Sequence, residues 1–175
     1  PATPSTDQVA VYAKAGGGLY IKDDAGTETQ LAAVVEAYGV MSVSGNTTAE
    51  ATTDVTPRKI ALFDTDGIAG NMVVDSTTAN NITASVAGKF AVSATVSFSG
   101  SGSKTFIVAL YKNGVSTGFR FRRKLGTGGD VGAAPLGGLV SLAASDTLSL
   151  YHWSTDGGSS FTVTDAQLTV HRVAT

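Results

Sequence analysis

Apolar and polar residues alternate with period two along most of this chain. The clearest run has Phe90, Val92, Ala94, Val96 and Phe98 on one side and Ala91, Ser93, Thr95 and Ser97 on the other. That alternation predicts a strand with one buried face. Earlier, Val9, Val11 and Ala13 alternate with Ala10, Tyr12 and Lys14, and Gly16–Gly18 break the run. Leu19, Tyr20 and Ile21 follow, and Asp23-Asp24-Ala25-Gly26 has turn composition, so residues 8–31 read as at most a hairpin. Residues 30–38 hold the one helical stripe, Leu31, Val34, Val35 and Tyr38, stopped by Gly39. An extended connector is the alternative there, because Val34 and Val35 are β-branched. Residues 44–57 are polar and Thr-rich, and read as a loop or an edge strand.

From Ile60 the pattern is a series of strands. Ile60–Phe63 precedes an expected turn at Asp64-Thr65-Asp66-Gly67; Met72–Val74 and Ile82–Val86 follow. In Thr105–Tyr111, Phe106, Val108 and Leu110 alternate with Ile107, Ala109 and Tyr111, so both faces are apolar. Such a strand is buried on both sides, or one side meets another subunit. Asn113-Gly114 is the dipeptide of a tight hairpin. Phe119–Arg123, Leu139–Leu142, Thr147–Trp153, Ser160–Thr164 and Gln167–Val173 complete the series. Residues 125–138 carry six glycines and one proline and read as a long loop. Short strands without intervening helices predict an all-β antiparallel sandwich or barrel.

Composition narrows the chemistry. Only 15% of the 175 residues are charged, and there is no cysteine, which excludes disulfides, thiolate metal sites and a thiol nucleophile. No run approaches 18 apolar residues, so no membrane insertion is expected. PATPSTDQ has neither a basic region nor an apolar core, and no signal peptide is expected. Net charge is −2 but uneven: residues 1–38 hold two lysines against five carboxylates, and residues 39–175 hold ten basic and nine acidic residues. A nucleic-acid partner is not expected from that balance.

Candidate catalytic and metal groups are sparse. Asp64 and Asp66 stand like the start of a calcium loop, but Asp75 occupies the place of its closing glutamate, and a plain turn is the simpler reading. His152 and His171 fall on expected strands as packing or hydrogen-bonding residues. Neither a cofactor nor enzyme activity is expected. The sharpest charged feature is Arg120, Arg122, Arg123 and Lys124, interleaved with Phe119 and Phe121. Such a cluster binds a polyanion or contacts a neighbouring subunit; the alternative is a solvated strand face. Asn46-Thr47-Thr48 and Asn81-Ile82-Thr83 fit the glycosylation acceptor pattern.

Two stretches carry a family resemblance. Ile82-Thr83-Ala84-Ser85-Val86-Ala87-Gly88-Lys89-Phe90-Ala91-Val92 resembles the strand–Gly-x-aromatic–strand signature of the tumour-necrosis-factor and complement-globular-head jelly rolls. Lys59–Asp64 and Asn71 precede it in the family's order. Val108–Gly114, Leu139–Leu142, Ala144–Leu150 and Phe161–Val173 follow it. Val11–Lys14 with Leu19–Leu31 resembles a short element of tailed-bacteriophage virion proteins. Together these resemblances imply an antiparallel jelly-roll sandwich head over 39–175 and an N-terminal attachment arm, a hairpin or extended segment, over 1–38. They imply a homotrimer on the virion surface, made in the bacterial host cytoplasm, acting as capsid decoration or head fibre. The alternative is a tail-fibre tip or receptor-binding protein contacting a host glycan through loops at 125–138 and 154–160. Val11, Tyr12, Leu19, Tyr20, Ile21 and Leu31 are then the residues expected to dock on the capsid or another virion protein. Asp23, Asp24 and Glu28 are expected at the rim of that contact, and the arm is expected to stay mobile until it docks.

Overall fold

A computed structural model of the protein describes residues 1–14, 19–31, 35–51, 55–128, 130–156 and 159–175. The chain divides into two compact units, Pro1–Val35 and Glu36–Thr175.

The first unit is an antiparallel sheet of β1 (Ala10–Ala13), β2 (Leu19–Lys22) and β3 (Glu28–Leu31), in that order. It extends the expected hairpin by a strand. The glycine turn at 16–18 lies outside the described residues. The Asp23–Gly26 turn is formed: Gly26 donates to the Asp23 carbonyl at 3.1 Å and adopts a φ of 85°. The Asp23 carboxylate takes the Thr27 amide at 2.7 Å. The expected helix over 30–38 does not form. Gln30 and Leu31 belong to β3, residues 35–37 are not helical, and residues 32–34 lie outside the described residues. A stripe of nine residues is too short to repay helix nucleation, and pairing with β2 satisfies the same backbone groups.

The second unit is built from twelve strands: β4 (Tyr38–Val43), β5 (Glu50–Ala51), β6 (Arg58–Lys59), β7 (Thr65–Gly70), β8 (Met72–Asp75), β9 (Asn81–Ala84), β10 (Gly88–Gly100), β11 (Thr105–Lys112), β12 (Val115–Lys124), β13 (Val131–Leu142), β14 (Thr147–Ser154) and β15 (Ser160–Ala174). They form two six-stranded antiparallel sheets. One runs β13-β10-β15-β4-β7, with β5 paired to β15; the other runs β12-β11-β14-β9-β8, with β6 paired to β14. This is the antiparallel jelly-roll sandwich expected from the sequence. Phe90, Val92, Ala94, Val96 and Phe98 point between the sheets and meet Phe106, Val108, Leu110, Leu148 and Leu150 from the other. At one end of this core Phe98, Phe106 and Phe161 pack ring to ring, with centroids 4.9–5.7 Å apart.

Three segments differ from the sequence pattern. Residues 125–138 are no long loop: β13 begins at Val131 and pairs with β10 over its whole length. Glycine and proline mark a break in most contexts, but β13 is a sheet edge, where Pro135 leaves no central ladder position empty. Its glycines are needed for clearance. A Cβ at Gly138 would sit 2.4 Å from the Phe119 ring, and one at Gly132 would sit 2.8 Å from the Phe98 ring. The Asp64–Gly67 turn is also absent, because Thr65–Gly70 forms an edge strand against β4. Ile60–Phe63 contributes Ile60 and Phe63 to the core without a strand ladder; the Ile60 amide donates to the Leu150 carbonyl at 2.9 Å, whereas the Ala61 and Phe63 amides donate to the side chains of Glu50 and Asn80. In the 44–57 segment only Glu50–Ala51 pairs, and residues 52–54 lie outside the described residues. The two closing strands are a single one, β15, with a register shift opposite Ser97/Phe98.

The β11–β12 hairpin turns on Asn113 and Gly114, both left-handed with φ of 50° and 76°. The Asn113 side chain ties this turn to the Ala143–Thr147 corner, donating to Asp146 at 2.6 Å and accepting the Thr147 amide at 2.8 Å. Asp146 also pairs with Lys112 at 2.9 Å and takes the Ala143 amide at 2.7 Å. The Lys112 ammonium, then Asn113 and the Ala143 amide, pull the Asp146 carboxyl from 3.8 to about 2. A folded-state value below the unfolded one stabilises the fold at neutral pH, and that contribution is lost as pH falls from 3.8 through about 2. Asp146→Asn is therefore expected to lower the Tm by a few degrees at neutral pH. The gap from the parent protein should close as melts are repeated toward pH 2. A gap independent of pH would show that the charge is not what stabilises the corner.

Candidate functional site

Three surfaces carry the chemistry. The first is the sheet of the N-terminal unit. Tyr12 stacks on Tyr20 with centroids 6.0 Å apart, Lys14 lies 4.5 Å over the Tyr20 ring, and Lys14 forms an ion pair with Glu28. Desolvation and the neighbouring Glu28 carboxylate push the Tyr12 hydroxyl above its ordinary pKa, while the bond from Lys14 pulls Glu28 below its own. The register sets Val11 opposite Ile21, Tyr12 opposite Tyr20 and Leu19 opposite Leu31. All six residues named for docking thus lie in one small sheet. Val9, Val11, Leu19 and Leu31 are exposed, Val9 and Val11 by more than half.

The second surface is the outer face of the first head sheet. Facing residues form rungs across four strands: Gly137, Ser93, Thr169 and Val40 in one, Pro135, Thr95, Gln167 and Ser42 in the next. Neither rung carries a charge. Leu139 adds an exposed apolar side chain above them. A depression of about 570 Å³ is lined by Thr95, Pro135 and Gln167 and also by Asp165. That aspartate accepts from the Ser44 hydroxyl at 2.8 Å and the Gly45 amide at 3.1 Å, bonds that hold its pKa below the ordinary range.

The third surface is the outer face of the second sheet. Arg120 stands opposite Ala109, which stands opposite Tyr151, which stands opposite Lys59. One rung along, Arg122, Ile107 and Trp153 face one another. Ile107 and Ala109 are buried although they point away from the core. Their register partners on that face are long side chains, Arg120, Arg122, Tyr151 and Trp153, of the kind whose apolar parts shield small neighbours. Tyr111 and Tyr151 stack at 4.0 Å with planes 19° apart. Burial, with Tyr151 second, raises the Tyr111 pKa, and Arg120 opposes that rise. The Arg120–Lys124 cluster is split by strand alternation. Arg120, Arg122 and Lys124 face out, whereas Arg123 shares the Phe119/Phe121 side and lies 3.9 Å from Asp130. Among the described residues Arg120 and Arg122 have no ion pair.

β11 is buried on both faces within one chain, so its apolar outer side needs no second subunit. Of the two histidines, His152 is fully buried, stacked on Phe161 at 4.4 Å, with Nε2 3.3 Å from a Glu50 oxygen. The other Glu50 oxygen takes the Ala61 amide at 2.7 Å, so the pair anchors β5 and the Ile60 segment. His171 points to the opposite side of the sandwich, beside Ala91. Asp66 is occupied by the Ser76 amide at 2.8 Å and Asp64 by the Thr65 hydroxyl at 2.8 Å. Among the described residues no three metal-ligating side chains gather. The Asn46 amide donates to the Val163 and Thr48 carbonyls, and Asn81 lies in β9. Sequence reasoning named Arg120 and Arg122 but not their union with Lys59, Tyr111, Tyr151 and Trp153. Only strand register brings those residues together.

No family model matches the sequence, and no curated protein aligns with it. Solved structures do match. Murine APRIL superposes with a TM-score of 0.57 at 10% identity, over 79% of this chain and 99% of that one. The globular domain of zebrafish complement 1qA protein gives 0.56 at 13%, over 79% and 97%. Eiger TNF from S. frugiperda gives 0.53 at 12%, over 80% and 92%. The fold is a jelly roll of the tumour-necrosis-factor and complement-globular-head kind.

Proposed function

We propose that this is a structural virion protein of a tailed bacteriophage. It forms a homotrimer on the virion surface, attached through its N-terminal unit, and displays the jelly-roll head as a capsid decoration or head fibre. The observation that carries this reading is the N-terminal unit itself. A three-stranded sheet of four-residue strands leaves Val9, Val11, Leu19 and Leu31 exposed. So small a sheet is marginal alone and gains by burying that side on a partner. Of these, Val11, Leu19 and Leu31 lie in the stretch that resembles a virion element. Trimerisation is assigned to the outer face of the first head sheet, where the rungs through Ser93 and Thr95 are uncharged. Interface cores are depleted of charge in the same way, while a solvated sheet face usually carries it.

The test uses the full chain and a chain lacking residues 1–35, each added to purified particles stripped of this protein. The truncated protein is expected to keep its circular dichroism spectrum and oligomeric state, and to lose co-sedimentation with the particles. Binding equal to that of the full chain would overturn the attachment role. Copy number on native particles then separates decoration, with hundreds of copies, from the tail-tip reading, with a handful.

A further inference from the structure

We propose that the outer face of the second head sheet binds an acidic polysaccharide, with Arg120 and Arg122 holding its acid groups and Tyr111, Tyr151 and Trp153 supporting its sugar rings. This is independent of how the protein attaches to a particle, since none of these residues belongs to the N-terminal unit.

Charge complementarity is the first ground. Arg120 and Arg122 project from an edge strand, both exposed, with no ion pair among the described residues. Elsewhere Lys14 pairs with Glu28, Lys112 with Asp146 and Arg123 with Asp130. Two guanidinium groups two residues apart on a strand stand about 7 Å from each other. Each presents a planar fork that takes a carboxylate or sulfate in bidentate fashion.

The aromatic surface is the second ground. Tyr151 and Trp153 lie two strands across from Arg120 and Arg122, about 10 Å away. The Tyr111–Tyr151 stack holds those two rings before any ligand arrives, so little of their side-chain entropy remains to be lost on binding. A ligand filling this face needs acidic groups at one side and extended, hydroxyl-bearing rings at the other. A uronate or sulfated sugar chain has both. Single-stranded nucleic acid also joins rings to anions, but its binders track the backbone with a continuous basic groove. Here the outward cations among the described residues are Arg120, Arg122 and Lys124 on one edge strand, with Lys59 three strands across, a short patch and not a continuous groove, and the chain carries a net charge of −2. The sugar is therefore the favoured occupant.

The experiment measures binding of the full chain to alginate, a uronate polymer, and to heparin, a sulfated one. Dextran serves as the neutral control and a single-stranded oligonucleotide as the competing polyanion. Binding to at least one acidic glycan, weakening steeply with salt, is expected. Arg120→Gln with Arg122→Gln keeps long stems opposite Ile107 and Ala109 and should weaken that binding by about ten-fold or more. The charge-matched control, Lys22→Gln with Lys89→Gln, should change it less than about two-fold. Alginate and heparin together decide whether carboxylate or sulfate is the acid recognised. The proposal is overturned if neither acidic glycan binds, or if the oligonucleotide binds more tightly than both. It is likewise overturned if the arginine pair weakens binding no more than the lysine pair.

Discussion

Phe98→Ala is expected to destabilise the head by about 3–5 kcal/mol, the range for removing a buried phenylalanine side chain. Phe98 is completely buried at the end of β10. Its ring packs at 4.9 Å on Phe161, edge-on at 5.7 Å on Phe106, and stacked at 6.2 Å on Phe121. The four rings come from β10, β11, β12 and β15, so one truncation loosens both sheets at once. The backbone cannot close the cavity cheaply. Phe98 pairs with Gly132 on one side and Val163 on the other, and Gly132 has no side chain to move into the gap. Domains of this size hold only about 5–15 kcal/mol in total, so the loss is a large share of it. Chemical denaturation should show that loss directly, and the Tm should fall by roughly 6–20 °C. A change below about 1 kcal/mol would mean that the aromatic cluster does not bridge the sheets as described.

Thr95→Arg is expected to convert the proposed trimer into monomers without unfolding the head. Thr95 is exposed in the middle of β10, between Pro135 and Gln167, on a rung that carries no charge. Threefold association through this face would bring three copies of the new guanidinium toward one axis. Like charges forced together in an interface cost several kcal/mol. The same arginine in a monomer points into water, so the Tm of the isolated head should move little. Light scattering at micromolar concentration decides the matter. A parent protein that is monomeric overturns the trimer itself. A variant that remains trimeric overturns the choice of face and leaves the trimer standing.

The fold class was legible in the sequence because strand periodicity is local. The alternation from Phe90 to Phe98, the Asn113-Gly114 turn and the apolar Thr105–Tyr111 run each report on their own backbone, and each lies where the pattern put it. The extended conformation of Val11, Tyr12, Leu19, Tyr20 and Ile21 was legible for the same reason. What failed was whatever depended on a neighbour distant in sequence. Residues 125–138 have loop composition, yet Val131–Leu142 is a strand, because the rings of Phe98 and Phe119 need the bare backbone of Gly132 and Gly138. The stripe through Leu31 and Tyr38 has helical spacing, yet Leu31 pairs with Leu19 and Tyr38 with His171. The basic cluster was visible as four consecutive-looking cations. Alternation removed Arg123 to the Asp130 side, and register added Lys59, Tyr151 and Trp153 to Arg120 and Arg122. The sequence by itself determined which residues could form strands and which face of each would be apolar. Only the tertiary structure decided which strands are neighbours, since a ladder between residues 109 and 151 is selected by packing energy over the whole sandwich and leaves no mark on either strand alone.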